Sequence, residues 1–131
     1  MVDFINFKTL KRPPKPNTFL VAPEHHCLAA EPDQRSPVLS VSAAELFETF
    51  RVAIASNRRW GSVTEDETNW RMRFVATTGL MRFKDDVDIQ VIALKAAHST
   101  FAIYSRSRVG YSDLGANRKR VQELIGKVTT N

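Results

Sequence analysis

The residues best suited to chemistry in this 131-residue chain lie in its last third. There Ser105-Arg106-Ser107-Arg108 runs through Val109-Gly110 into Tyr111-Ser112-Asp113 and then Asn117. Arginines two apart project to one side of a strand, and guanidinium suits carboxylate or phosphate oxygens. A strand that turns through glycine into a helix N-terminus also offers backbone amides to an anion. A second set comes earlier: Asp86 and Asp88, again two apart, preceded by Arg71 and Arg73. These groups can bind an anion, or an aspartate can act as base to a serine or tyrosine of residues 105–113. The lysine and glycine spacing of a phosphate loop is absent, as is a Gly-x-Ser-x-Gly elbow.

Such side chains need a sheet to hold them. Trp70, Met72, Phe74 and Ala76 alternate with Arg71, Arg73, Val75 and Thr77. Residues 81–94 place Phe83, Val87, Ile89, Val91 and Ala93 on one face, after an irregularity near Lys84-Asp85. Their other face carries Arg82, Asp86, Asp88 and Gln90. Residues 101–108 alternate Phe101, Ile103, Ser105 and Ser107 with Ala102, Tyr104, Arg106 and Arg108. A short strand over 59–63 and a solvated turn over the acidic run 64–69 precede them.

Two helices flank the strands. Ser42-Ala43-Ala44-Glu45 is a capping box, with Val41 and Leu46 as a hydrophobic staple. Ala43, Phe47, Phe50 and Ile54 share a face, and Asn57 is expected to close this helix in the left-handed conformation. A second amphipathic helix is predicted over 113–128, with Asp113 or Ser112 as N-cap. Its inner face holds Leu114, Asn117, Val121, Leu124, Ile125 and Val128, while Arg118, Lys119, Gln122 and Glu123 point away. All six prolines fall within residues 1–40, which read as an extended arm anchored by Phe4, Ile5, Phe7, Phe19, Leu20 and Val21. The expected architecture is α+β: this arm packed on a single domain over 41–131. That domain is one antiparallel sheet of about four strands with two helices on one face.

The composition suits one globular domain. A single cysteine excludes an internal disulfide framework. No stretch approaches the ~20 apolar residues of a spanning helix. The start lacks a basic region followed by an apolar stretch, so as written the chain reads as soluble without an export signal. Residues 1–94 carry 12 basic and 12 acidic side chains, and residues 95–131 carry seven basic and two acidic. The whole net charge of +5 therefore sits in the last third.

The hairpin between Leu94 and Phe101 decides which charges meet. With Lys95 opposite Ser99, Val91 faces Ile103, Ala93 faces Phe101, Asp88 faces Arg106 and Asp86 faces Arg108. A slip of one residue would set Val87 and Ile89 beside the arginines. One apolar and one ionic face are expected, the ionic one also carrying Arg71 and Arg73. Four arginines against two aspartates leave two guanidinium groups uncompensated. The plainer alternative is a set of solvated cross-strand pairs contributing about 0.2–1 kcal/mol each.

Two motifs carry a family resemblance: Arg82-Phe83-Lys84-Asp85-Asp86-Val87-Asp88, and the run from Ser105 to Arg120. With the upstream Lys15-Pro16-Asn17-Thr18-Phe19-Leu20-Val21-Ala22-Pro23, the chain resembles the Domain of Unknown Function 1499 family over nearly its whole length. The resemblance implies a small bacterial or plastid domain with no assigned activity and no catalytic residue to carry over. Many relatives look membrane-anchored through a hydrophobic segment before the Pro-Asn region, which this chain lacks. Some have proline where Lys84 stands here.

The expectation is a binding or interaction module rather than an enzyme. Its ligand would be an anionic small molecule, a lipid headgroup or a partner's carboxylate. The candidate site residues are Arg71, Arg73, Asp86, Asp88, Arg106, Arg108, Tyr111, Asp113 and Asn117. Asn117 also reads as a hydrogen-bonded amide tying helix to turn, and Tyr111 as a packing residue. One alternative is a small hydrolase-like enzyme using Asp86 or Asp88 with a serine or tyrosine of 105–113. Another is weak nucleic-acid binding through Arg118-Lys119-Arg120. Glu24-His25-His26-Cys27 lacks the second ligand pair of a structural zinc site, and His98 falls in a hairpin tip, so no metal or cofactor is expected.

Overall fold

The computed structural model describes residues 4–95 and 97–129. In chain order the elements are β1 (Thr18–Ala22), β2 (Gln34–Arg35), α1 (Ala43–Ala55), β3 (Trp60–Asp66), β4 (Arg71–Thr77), β5 (Lys84–Ala93), β6 (Ser99–Ser107) and α2 (Ala116–Thr129). The fold is α+β, but the sheet has six strands in the order β2-β1-β6-β5-β4-β3. It is mixed rather than wholly antiparallel, because β2 runs parallel to β1. The alternation reveals neither the two-residue β2 nor β1, both of which fall within the expected arm. Both faces of β1 are buried, Phe19 and Val21 with the helices and Leu20 and Ala22 with Phe7, so it reads as a continuous apolar run.

Helix α1 starts as its sequence dictates, with Ser42 Oγ accepting the Glu45 amide at 3.1 Å. The Glu45 carboxylate accepts from the Ser42 hydroxyl, which completes the box differently from the expected bond to the N-cap amide. The helix ends at Ser56 in right-handed conformation, so Asn57 is not the left-handed cap. Leu46, Phe47, Phe50, Ala53 and Ile54 are buried on one side of the sheet. There Phe50 meets Phe101 edge to face, with ring centroids 5.4 Å apart. Val121, Leu124 and Val128 of α2 join the same core.

Two further expectations change. The acidic run is only partly a turn: Thr64 to Asp66 complete β3, and a single 3-10 turn (Glu67–Asn69) leads into β4. Helix α2 begins at Ala116, leaving Leu114 outside its inner face and fully exposed.

The β5–β6 register also differs, by two residues. Ala93 opposes Ser99, Asp88 opposes Tyr104 and Asp86 opposes Arg106. The turn is the cause: the His98 amide bonds the Lys95 carbonyl at 2.9 Å, and Leu94 pairs with His98. A shift of two conserves the faces, so Val87, Ile89 and Val91 stay in the core.

Beyond the helices' side, the sheet's outer face is covered at its β1–β6 part by Phe7, with Ile5 and Leu10 packed beside it. Arg12 ties this segment to Asp33 at 2.6 Å. Among the described residues, no helix is long and apolar enough to cross a membrane.

Candidate functional site

The outer face next to this cover is ionic. Arg106 Nη1 lies 2.7 Å from Asp88 Oδ2, and Arg108 grips Asp86 through Nε at 3.0 Å and Nη2 at 2.8 Å. These are the pairs expected from sequence, but they form diagonally across the strands, within reach of a long arginine. Arg73 stands 3.6 Å from Asp86 and 3.8 Å from Asp88. Arg71 is not part of this group: it bonds Asp66 at 2.6 Å and lies over the Phe4 ring. Burial opposes the charge on Asp86, yet Arg108, Arg73 and Arg106 outweigh it and hold its carboxyl below the ordinary value. Arg106 and Arg108 also border a groove of about 380 Å³ with Lys11, Lys15, Thr18 and Tyr104.

On the helix side a second polar network centres on Asn117, which is wholly buried. Its Nδ2 donates to Asn17 O at 2.9 Å, Ser107 Oγ at 3.0 Å and Asp113 Oδ2 at 2.6 Å. Its Oδ1 accepts from Ser105 Oγ at 2.6 Å and Arg120 Nη1 at 2.8 Å. Asp113 also accepts the amides of Gly115 and Asn117, so it caps α2. Asn117 and Asp113 thus hold the 105–117 segment in place, while Tyr111 is exposed and outside both networks.

Two members of this network are not expected in it from the sequence: Asp85 is no candidate, and Arg120 is expected only in the basic run of the last helix. Asp85 and Arg120 are buried and meet at 2.8 Å. Asp85 follows the parity of Val87 and Ile89, where alternation predicts an apolar side chain. Arg120 had a signal, since it falls between Asn117 and Leu124 on the inner helical stripe. Burial raises the Asp85 carboxyl above its ordinary value of 3.8, against the pull of Arg120 and Ser107, and Asp113 adds to the rise.

A pH dependence follows. With its folded value raised, Asp85 binds more protons in the native than in the unfolded state above 3.8. Its contribution to stability therefore falls as pH rises from 3.8 through the raised value. Asp86, with a lowered value, acts oppositely: its contribution is lost as pH falls below 3.8. Urea titrations across this range should show the wild-type stability declining relative to Asp85→Asn as pH rises. A constant difference between the two proteins would remove Asp85 from the pH response.

A cluster of cations that make no ion pair lies elsewhere. Arg58, Arg59, Arg82 and Lys84 line a cavity of about 380 Å³ with Ser62, Thr77 and Thr78. Among the described residues, none of these four has a carboxylate within 4.0 Å. Three segments build the cavity. Residues 58–59 follow α1, where Asn57 Oδ1 accepts the Arg59 amide and the Arg59 carbonyl accepts the Thr77 amide at 2.9 Å each. A bulge after Gly61 puts Ser62 in left-handed backbone at φ 51°. The β4–β5 loop supplies Arg82. At Gly79 of that loop a Cβ would stand 3.2 Å from Arg59 Nη1, so glycine lets this guanidinium lie against the turn.

Lys84, opposite Thr77 at the start of β5, completes the set. No spacing in the sequence relates residues 58–59 to residues 82–84, because their proximity depends on the β3–β4–β5 pairing. A search of curated proteins finds no match to this chain. The profile of DUF1499, a protein family of unknown function, matches residues 10–128, and the chain belongs to that family.

Proposed function

We propose that this protein is an anion-binding domain whose ligand occupies the pocket of Arg58, Arg59, Arg82 and Lys84. The observation that carries this is four cations around one cavity that holds no carboxylate, none of the four in an ion pair among the described residues, whereas Arg106 and Arg108 of the other groove are paired. Ser62, Thr77 and Thr78 add hydroxyl groups that can donate to the same oxygens. Guanidinium pairs and an ammonium are suited to phosphate, the arginines by bidentate bonds and the lysine as a point charge. The lining residues include no carboxylate, imidazole or thiol to move a proton, which favours binding over catalysis at this place.

Other observations favour this pocket over the places expected from sequence. Arg106 and Arg108 are already bound to Asp88 and Asp86, which also engages the two carboxylates a hydrolase would need as base. Of the basic run in α2, Arg120 is buried and Arg118 lies over the Phe19 ring, which leaves a thin surface for a polyanion.

Inorganic pyrophosphate at low ionic strength is the direct probe, with affinity read by calorimetry. Hydrogen bonds to charged groups are worth about 1.5–3 kcal/mol each, so Arg59→Gln with Arg82→Gln should weaken binding by tenfold or more. Arg106→Gln should leave it unchanged. If Arg106→Gln abolishes binding and the double variant keeps it, the anion belongs in the groove of Lys11, Lys15, Arg106 and Arg108 instead.

A further inference from the structure

The end of the sheet beside the cationic pocket exposes its apolar residues in an unusual way. Leu80 is 94% exposed and Leu114 is 96% exposed, and Met81, Phe83, Val109 and Tyr111 are exposed as well. They belong to two segments that meet, the β4–β5 loop and the turn between β6 and α2. Leu80, Met81, Phe83, Val109 and Leu114 all line one cavity of about 330 Å³. Exposed apolar side chains gathered at one end of a molecule mark a surface that another phase or molecule covers.

Hydrogen-bonded turns hold these tips out. In the first loop the Thr78 amide bonds the Phe83 carbonyl, and the Thr78 hydroxyl accepts the Phe83 amide, each at 2.8 Å. Arg82 takes left-handed backbone at φ 56°. In the second, Leu114 is left-handed at φ 53°, fixed by its amide on Ser112 Oγ and by the next amide on Asp113 Oδ1. Both conformations are unfavourable for L side chains, and each sets a large side chain or a cation at the rim.

The charge in the first loop is one-sided: residues 78–84 hold Arg82 and Lys84 and no acid. In the second segment Arg108 is paired with Asp86. Arg58 and Arg59 stand across the first loop, since Thr78 lines both the cationic and the apolar cavity. Two carboxylates, Asp85 and Asp113, also line the apolar cavity, but both are engaged: Asp85 pairs with Arg120, and Asp113 accepts amides of α2 and the Asn117 side chain. Apolar tips bordered by unpaired cations complement an acyl layer with anionic headgroups above it.

We propose that this end of the protein docks on an anionic phospholipid bilayer. Leu80, Met81, Val109 and Leu114 enter the acyl boundary, and Tyr111 lies at headgroup depth, where amphipathic aromatic rings are favoured. Arg58, Arg59, Arg82 and Lys84 meet the phosphates. The proposal rests on the anion-binding pocket for its headgroup contacts, and adds a separate apolar contact that a soluble anion does not use.

Sedimentation with vesicles separates the two. The full chain should sediment with phosphatidylglycerol–phosphatidylcholine vesicles at low salt and stay in solution with phosphatidylcholine alone. Leu80→Ser with Leu114→Ser should lower the vesicle-bound affinity about tenfold or more while pyrophosphate affinity and melting temperature stay at wild-type values. Arg59→Gln with Arg82→Gln should weaken both vesicle and pyrophosphate binding. Pyrophosphate binding without sedimentation would overturn bilayer docking and leave the anion pocket standing. Equal sedimentation of wild type and the leucine variant would overturn it too. An apolar protein partner covering the same tips is the outcome those two results would favour.

Discussion

Asn117→Ala is expected to lower the stability of this domain by about 3–5 kcal/mol, as a lower urea midpoint with an unchanged slope. The side chain is fully buried and uses both ends, donating to Asn17 O, Ser107 and Asp113 and accepting from Ser105 and Arg120. Alanine removes the hub and leaves those partners facing a void. Each buried polar group left without a bond costs about 1–3 kcal/mol, and some of the loss is recovered as the serine hydroxyls rotate to new acceptors. A total stability of about 5–15 kcal/mol is typical of such domains, so the variant would lose a large share of it. Asn117→Asp gives the sharper test. It keeps the volume but turns an acceptor toward Asp113 Oδ2 and Asn17 O, and it should be no better tolerated than alanine. A stable Asn117→Asp protein would mean that shape, not donor pattern, fills this place.

Arg120→Met should cost a similar amount near neutral pH, about 3–5 kcal/mol, because it strands the Asp85 carboxylate in the interior. Arg120 closes three contacts at once: Asp85 at 2.8 Å, Ser105 Oγ at 3.1 Å and Asn117 Oδ1 at 2.8 Å. Methionine matches the apolar stem but offers no donor. The loss should shrink in acid, since Asp85 starts from a raised value and is neutralised early once Arg120 is gone. Adding Asp85→Asn to Arg120→Met should restore part of the stability, because the stranded charge is removed. Additive effects of the two substitutions would show that the pair is not coupled. Arg120 donates directly to Asn117 Oδ1, so their double variant should lose less than the sum of the singles.

How the polar groups divide between the two sheet faces was legible in the sequence because strand side chains alternate strictly. Asp86, Asp88, Arg106 and Arg108 could be set on one face, and Ser105 and Ser107 on the other, from parity alone. Parity does not distinguish registers that differ by two. The β5–β6 pairing was decided by the turn at residues 95–98, where Ala97 adopts φ 65° and closes the hairpin earlier than expected. The predicted ion pairs nevertheless form, because a guanidinium reaches its diagonal neighbour as readily as its direct one. Strand β1 was hidden for a different reason. Burial on both faces erases the alternation that identifies a strand, and the surrounding prolines read as an arm.

By itself, then, the sequence determined the α+β class, the two amphipathic helices, the family and the separation of an apolar from an ionic sheet face. Each of these follows from periodicity or from a contiguous motif. Tertiary structure alone decided which cations have partners. Asp66 takes Arg71, Asp85 takes Arg120, and the diagonal pairs engage Arg106 and Arg108. Among the described residues, four of the cations without an ion pair gather at one cavity, Arg58, Arg59, Arg82 and Lys84, contributed by segments more than twenty residues apart. Net charge is a sum over the chain, whereas a binding site depends on charge left uncompensated at one point in space. Only strand pairing and burial set that remainder.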